Sequence, residues 1–236
     1  MDVVAEKKKP YDFALWKRAK PGEPYWNTPW GPGRPGWHIE CTVMGSKYLG
    51  VQFDIHGGGQ DLIFPHHENE IAQAEACYDV HPWVKYWIHI GYLTIKGEKM
   101  SKSLGNIIPV QEVFSKYDPL VLKLYLISAH YRTPLDFSWD ALNHAAATYN
   151  KIENFTKTII GYLRDEEPPS SVGEDVAKDV MKISVEREKF LESLREDFNT
   201  SKAMAHLHTV INFVNRRIVC LLYTSDAADD GESVDL

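Results

Sequence analysis

The sequence has little cysteine. Its three residues, Cys41, Cys77 and Cys220, stand far apart. That spacing excludes a disulfide framework and suits a reducing compartment, where Cys41 becomes a candidate metal ligand or nucleophile. Long apolar runs are missing too. None approaches the roughly 20 residues of a membrane helix. Met1 leads into Val3-Val4-Ala5 and a charged run, with no signal-peptide pattern. The expected location is cytoplasmic, with no membrane contact. Positive charge is not in excess either: the net charge of -7 argues against a protein that coats nucleic acid by charge alone. A local basic face remains compatible with it. The spaced glycines of a dinucleotide fingerprint are also absent.

What is present begins as a long Pro- and Gly-rich stretch. Pro21 to Gly36 carries too many breakers for a helix or a central strand. Tyr25, Trp26 and Trp30 within it predict an ordered loop, either a surface strap or a lid. Trp37 to Leu49 reads as a helix, with Trp37, Cys41, Met44 and Tyr48 on its buried face and Gly50 as its stop. Val51 to Ile55 alternates as a strand. Gly57, Gly58 and Gly59 then fall at its carboxyl end, where open α/β sheets bind ligands. Pro65 suits a helix start, and that helix should run to Cys77 or Tyr78. Trp83 to Ile90 reads as a buried strand, and Tyr92 to Gly97 as part of a hairpin. From Pro109 onward the pattern is helical: 110–116, 120–130, 140–163, 176–194 and 201–219. An acidic connector spans 165–174, and Asp197-Phe198-Asn199-Thr200 supplies capping residues for the last helix.

Two groups carry candidate chemistry. Cys41, His66 and Glu70 offer a thiolate, an imidazole and a carboxylate, and the last two share a helix face. The mixed set suits zinc with an open fourth position. His38, His56 and His67 compete as ligands, and a buried cysteine is more often plain packing. The second group is the loop Lys99-Met100-Ser101-Lys102-Ser103. Its two ammonium groups suit a triphosphate and the charge on departing pyrophosphate. A solvated surface turn is the bland alternative.

These motifs resemble a known family. The Lys-Met-Ser-Lys-Ser loop is that of class I aminoacyl-tRNA synthetases. Gly36-Trp37-His38-Ile39-Glu40-Cys41, Asp54-Ile55-His56-Gly57-Gly58-Gly59 with Asp61, and Phe64-Pro65-His66-His67-Glu68-Asn69-Glu70 resemble the cysteinyl-tRNA synthetase family. Asp12 to Lys17, Trp30 to Pro35 and Asp197 to Thr200 match it as well, so the resemblance covers about residues 8–219. It implies an α/β fold: the C-terminal half of a Rossmann-like catalytic domain followed by an α-helical bundle. It divides the chain into a catalytic part over 1–106, a stem-contact region over 107–140 and a tRNA-binding helical domain over 141–219.

The resemblance also implies roles. Cys41, His66 and Glu70 would hold one Zn2+. Trp37, His56 and Asp61 would surround the cysteine substrate. Gly57, Gly58, Gly59 and Lys102 would meet ATP with its Mg2+, and Lys99 and Lys102 would be catalytic. The partners are then cysteine, ATP and tRNA(Cys), and the expected state is a monomer. Three features depart from the family pattern. Its His-x-Gly-His element and its fourth zinc ligand have no counterpart and would precede residue 1. Residues 220–236 resemble a translated sequencing adapter, which predicts a disordered, artefactual tail on a clipped reading frame. Two alternatives stand beside the ligase: the cysteine ligase of mycothiol synthesis, and a non-catalytic fragment that binds zinc or tRNA.

Overall fold

The computed structural model describes residues 7–101, 104–165 and 174–229. Lys102, Ser103, most of the acidic connector and residues 230–236 lie outside the described residues. The chain forms two compact units, Met1–Gly91 and Tyr92–Leu236.

In the first unit the Pro- and Gly-rich stretch is an ordered strap. β1 (Trp16–Arg18) runs antiparallel to β2 (Gly33–Pro35). Trp26 N donates to Gly33 O at 2.8 Å and closes the stretch between them. The strands stay short because proline withholds the donor a longer ladder needs.

α1 (Trp37–Leu49) keeps the expected bounds, but its buried face is not the expected one. Trp37, Met44 and Tyr48 are exposed, and Cys41 is half-buried. His38, Thr42 and Ser46 are buried instead, one turn apart each. The reason lies in the partner helix. α2 (Glu68–Tyr78) offers polar groups, and Thr42 Oγ1 sits 3.4 Å from Gln73 Oε1. A polar interface selects the polar side of α1.

β3 (Phe53–Gly59) and β4 (Val84–Ile90) form a parallel pair joined through α2. The ladder runs from Phe53 opposite Val84 to Gly59 opposite Ile90. β3 therefore extends through the glycines, beyond the expected end at Ile55. Between β3 and α2 come a 3-10 turn, Gln60–Leu62, and a π-type turn, Ile63–His67. The α-helix thus starts after Pro65, at Glu68. Ala74, Trp83 and Val84 make the small apolar core, with Phe53 edge-on to Trp83.

In the second unit, β5 (Leu93–Ile95) and β6 (Glu98–Lys99) form the expected hairpin. Lys96 and Gly97 both have positive φ, 53° and 78°, as a two-residue type I′ loop requires. β7 (Leu135–Asp136), which the sequence did not suggest, pairs parallel to β5. Asp136 Oδ1 accepts from Thr94 Oγ1 at 2.7 Å and from Gly97 N at 2.8 Å. This pairing places β5, β6 and the base of the lysine loop in the second compact unit, which begins at Tyr92.

The helices are α3 (Val110–Phe114), α4 (Pro119–Leu126), α5 (Trp139–Asp165), α6 (Glu174–Arg195) and α7 (Thr200–Asp229). Asp118 caps α4, and Asn199 caps α7 by accepting from Lys202 N at 3.1 Å. Val113, Val121, Tyr125, Phe137, Leu142 and Ala145 form the core of this unit. The α6–α7 turn has Asp197 and Phe198 at φ 55° and 53°. Tyr131 Oη and Arg132 Nη2 clamp Asp197 at 2.7 and 3.0 Å. α7 continues to Asp229, past the expected stop at Val219. Residues 220–229 hold no proline or glycine, so nothing local ends the helix before Gly231. Among the described residues, no helix is long and apolar enough to cross a membrane.

Candidate functional site

Glu70 is the centre of the first unit's polar interior. It is fully buried, 0% exposed, on the first turn of α2. Neither carboxylate oxygen has a hydrogen bond of regular geometry. Imidazoles approach instead: His66 Nε2 lies 2.5 Å from Oε1, and His56 Nε2 lies 3.4 Å from Oε2. Cys41, His66 and Glu70 offer ligand atoms that all lie within 4.8 Å of one another. The sequence-predicted metal set is therefore assembled, Cys41 from α1, His66 from the π-type turn before α2 and Glu70 from the first turn of α2.

The electrostatics fit a cation. Burial pushes the Glu70 carboxyl up to about 7, against the opposing pull of the Cys41 thiol. Burial, then the Glu70 charge, pushes the Cys41 thiol up to about 11. The chain's own groups thus favour the thiol over the thiolate. Burial also lowers His38, His56 and His66, and lowers His67 to about 4. Burial thus favours the neutral imidazoles, which keep a lone pair. An uncompensated buried carboxylate among neutral imidazoles and a thiol is a costly arrangement. A divalent cation would resolve it, and the donor set suits zinc.

A supporting layer surrounds the ligands. His38 Nδ1 and His66 Nδ1 share a proton at 2.8 Å, which turns His66 Nε2 toward Glu70. His38, weighed from the sequence as a competing ligand, is thus an orienting group. Trp37 stacks on His66 with ring centroids 4.2 Å apart. It is half exposed and walls the open side. A cavity of about 260 Å³ opens beside Trp37 and His38, lined also by Phe13, Lys17, Pro65 and Asn69. His56 packs on Trp87 at 4.6 Å. Asp61 lies in the turn after β3, close enough to raise His67 against its other neighbours.

His89 and Trp87 were not singled out from the sequence. They stand two apart on β4, and that strand alternation was the available signal. His89 Nε2 lies 2.9 Å from His67 Nδ1. Gly58 shows why the glycines matter here: a Cβ at Gly58 would stand 2.6 Å from His67 Cε1. Gly57 carries no such constraint.

The lysine loop belongs to the second unit. Lys99 Nζ lies over the Tyr92 ring at 4.4 Å. Asn106 clasps the loop base, accepting from Ser101 N at 2.8 Å and donating to Lys99 O at 3.3 Å. Lys102 lies outside the described residues.

Comparison with known proteins gives concordant results. The family model for the tRNA synthetases class I (C) catalytic domain matches residues 1–147, and that for the DALR domain matches 189–229. A cysteine–tRNA ligase of Staphylothermus marinus is 51% identical over 217 residues, 92% of this chain and 46% of its own length. One from Aeropyrum pernix is 54% identical over 206 residues, 87% of this chain and 43% of its own. One from Pyrococcus horikoshii is 50% identical over 228 residues, 97% and 46% respectively. The chain spans about half the length of the curated relatives it matches. The agnB2 LeuRS of Agrobacterium radiobacter K84, solved in a ternary complex with tRNA and LeuAMS, shares the fold. Its TM-score is 0.65 at 15% identity, over 81% of this chain and 28% of that one.

Proposed function

This chain belongs to the family of class I (C) tRNA synthetase catalytic domains, and from that premise we propose that it works in cysteine–tRNA ligation. ATP and cysteine give cysteinyl-adenylate, and the cysteinyl group passes to the terminal ribose of tRNA(Cys). The observation that carries this reading is the buried Cys41–His66–Glu70 set with its unsatisfied carboxylate.

Cys41, His66 and Glu70 would hold Zn2+, which would leave a position for the substrate sulfur. Bound zinc lowers a thiol's pKa and favours the thiolate. His38 fixes the orientation of His66, and Trp37 keeps water off the exposed side. His56 and Asp61 line the substrate beside the set. Serine is rejected because its hydroxyl is a harder and far less acidic donor. Apolar fit alone separates such close analogues by only about 1–3 kcal/mol. Lys99 and Lys102 would stabilise the charge on the phosphates of Mg2+-ATP. The DALR match over 189–229 supports tRNA as the acceptor over an amino sugar. The enzyme acts as a cytoplasmic monomer.

The test is cysteine-dependent exchange of pyrophosphate into ATP. It is run with this chain substituted for the matching segment of the Staphylothermus marinus relative. Exchange with cysteine, absent with serine and lost on Cys41→Ser, is the expected result. Exchange that survives Cys41→Ser would remove Cys41 from the site.

A further inference from the structure

Glu70 presents its two oxygens to two different sets of side chains. Oε1 faces His66 at 2.5 Å. Oε2 faces His56 at 3.4 Å. We propose that His56, His67 and Glu70 form a second divalent-cation site, with Glu70 as the carboxylate common to both.

The ligand atoms of His56, His67 and Glu70 all lie within 4.8 Å of one another. Tetrahedral ligands about 2.1 Å from one ion stand about 3.4 Å apart, so the set needs to close by up to about 1.4 Å. Glu70 is 0% exposed, and Oε2 lacks a regular hydrogen bond. His67 is held in the manner of a metal-ligating imidazole. Its Nδ1 meets His89 Nε2 at 2.9 Å, which leaves Nε2 for an ion. Room is kept at that nitrogen: a Cβ on Gly58 would stand 2.7 Å from His67 Nε2. Trp83 and Trp87 wall His56 with apolar surface at 5.9 and 4.6 Å. A dry site of this kind strengthens attraction between the carboxylate and a cation.

Two imidazoles and one carboxylate, without sulfur, suit borderline cations such as Zn2+, Co2+ or Ni2+. An ion here would take His56 from the substrate, so this site is inhibitory at excess metal. The assignment rests on the ligase reading for that consequence alone; the ligand set stands without it.

The experiment uses the purified chain, its Cys41→Ser variant and Co2+ as the probe. Bound metal is counted after gel filtration and read by its visible and near-ultraviolet bands. Cys41→Ser should keep about one Co2+ per chain with no sulfur charge-transfer band. Adding His67→Gln, or separately His56→Gln, should weaken that binding at least about tenfold. Adding His66→Gln should leave it in place. Far-ultraviolet circular dichroism checks the fold of each, and the His56 and His67 variants decide independently of one another. Cobalt absent from Cys41→Ser, kept after His67→Gln and His56→Gln, or lost after His66→Gln overturns the second site. A wild-type chain without the sulfur band would instead overturn the Cys41 reading and leave this one standing.

Discussion

Among the described residues of the first unit, the buried side chains are mostly polar. His38, Thr42, Ser46, His66, His67, Asn69 and Glu70 outnumber Ala74, Trp83 and Val84. The second unit reverses this. Val113, Val121, Tyr125, Phe137, Leu142, Ala145, Ala203 and Ile211 are buried there, and Ser193 is the buried polar residue. Burying polar groups costs free energy unless each finds a partner, whereas apolar burial stabilises at roughly 25 cal/mol per Å². The first unit therefore carries an interior suited to chemistry at the expense of stability, and the second carries an interior suited to packing. In the first unit the groups that burial shifts, His38, Cys41, His56, His66, His67 and Glu70, lie together, as functional sites arrange them.

That contrast breaks most sharply at Glu70. Glu70→Gln should weaken zinc binding by at least about 100-fold. The metal-free melting midpoint should stay within about 4 °C, because a buried carboxylate becomes a neutral amide of the same shape. Competition with a chromophoric chelator and a thermal melt read the two effects. A collapse of the metal-free fold would mean that Glu70 is structural.

Leu142→Ala is the converse. Leu142 is 0% exposed in the second unit's core, and its truncation should cost about 2–5 kcal/mol by denaturant titration. Zinc stoichiometry should not change. A lost metal would couple the two interiors and dissolve the contrast.

His38→Ala should have an intermediate effect. It removes the group 2.8 Å from His66 Nδ1 and should weaken zinc about 10–100-fold. An unchanged affinity would show that His66 needs no orientation.

The smallest effect is expected at the α6–α7 turn. The Tyr131 hydroxyl holds the Asp197 carboxyl below its usual 3.8 against the opposing effect of burial, and Arg132 and His130 add to the lowering. A depressed carboxyl contributes stability that is present above its unfolded value and lost as pH falls through the lower folded one. Wild type should therefore melt above Asp197→Asn at pH 7, and the gap should close on acidification below about pH 4. A gap independent of pH would remove the charge from the clamp.

The sequence was most legible where periodicity and chemistry agreed. α1 kept its bounds because Gly36 and Gly50 punctuate it at both ends. The Lys96-Gly97 hairpin followed from its turn residues. Cys41, His66 and Glu70 came together although His66 stands in a π-type turn ahead of α2, because that turn leads directly into the first turn that carries Glu70. The buried face of α1 was misread because apolar spacing was taken as the inward signal. Its neighbour α2 presents polar groups, and this inverted the rule. β7 is two residues long, and its partner lies 42 positions away in Leu93↔Leu135, so no local pattern announces it. The end of α7 was placed at Val219 because apolar periodicity stops there, yet no proline or glycine falls within 220–229 and the helix continues to Asp229. His89 was missed because its role depends on a cross-element contact with His67.

The central claim is a metal held by Cys41, His66 and Glu70 that accepts the sulfur of cysteine. The direct measurement is absorption of the Co2+-loaded chain, freed of unbound metal, before and after L-cysteine or L-serine. The account predicts a sulfur charge-transfer band from Cys41 that L-cysteine strengthens and L-serine leaves unchanged. No band in the loaded chain, or the same response to both amino acids, would contradict it.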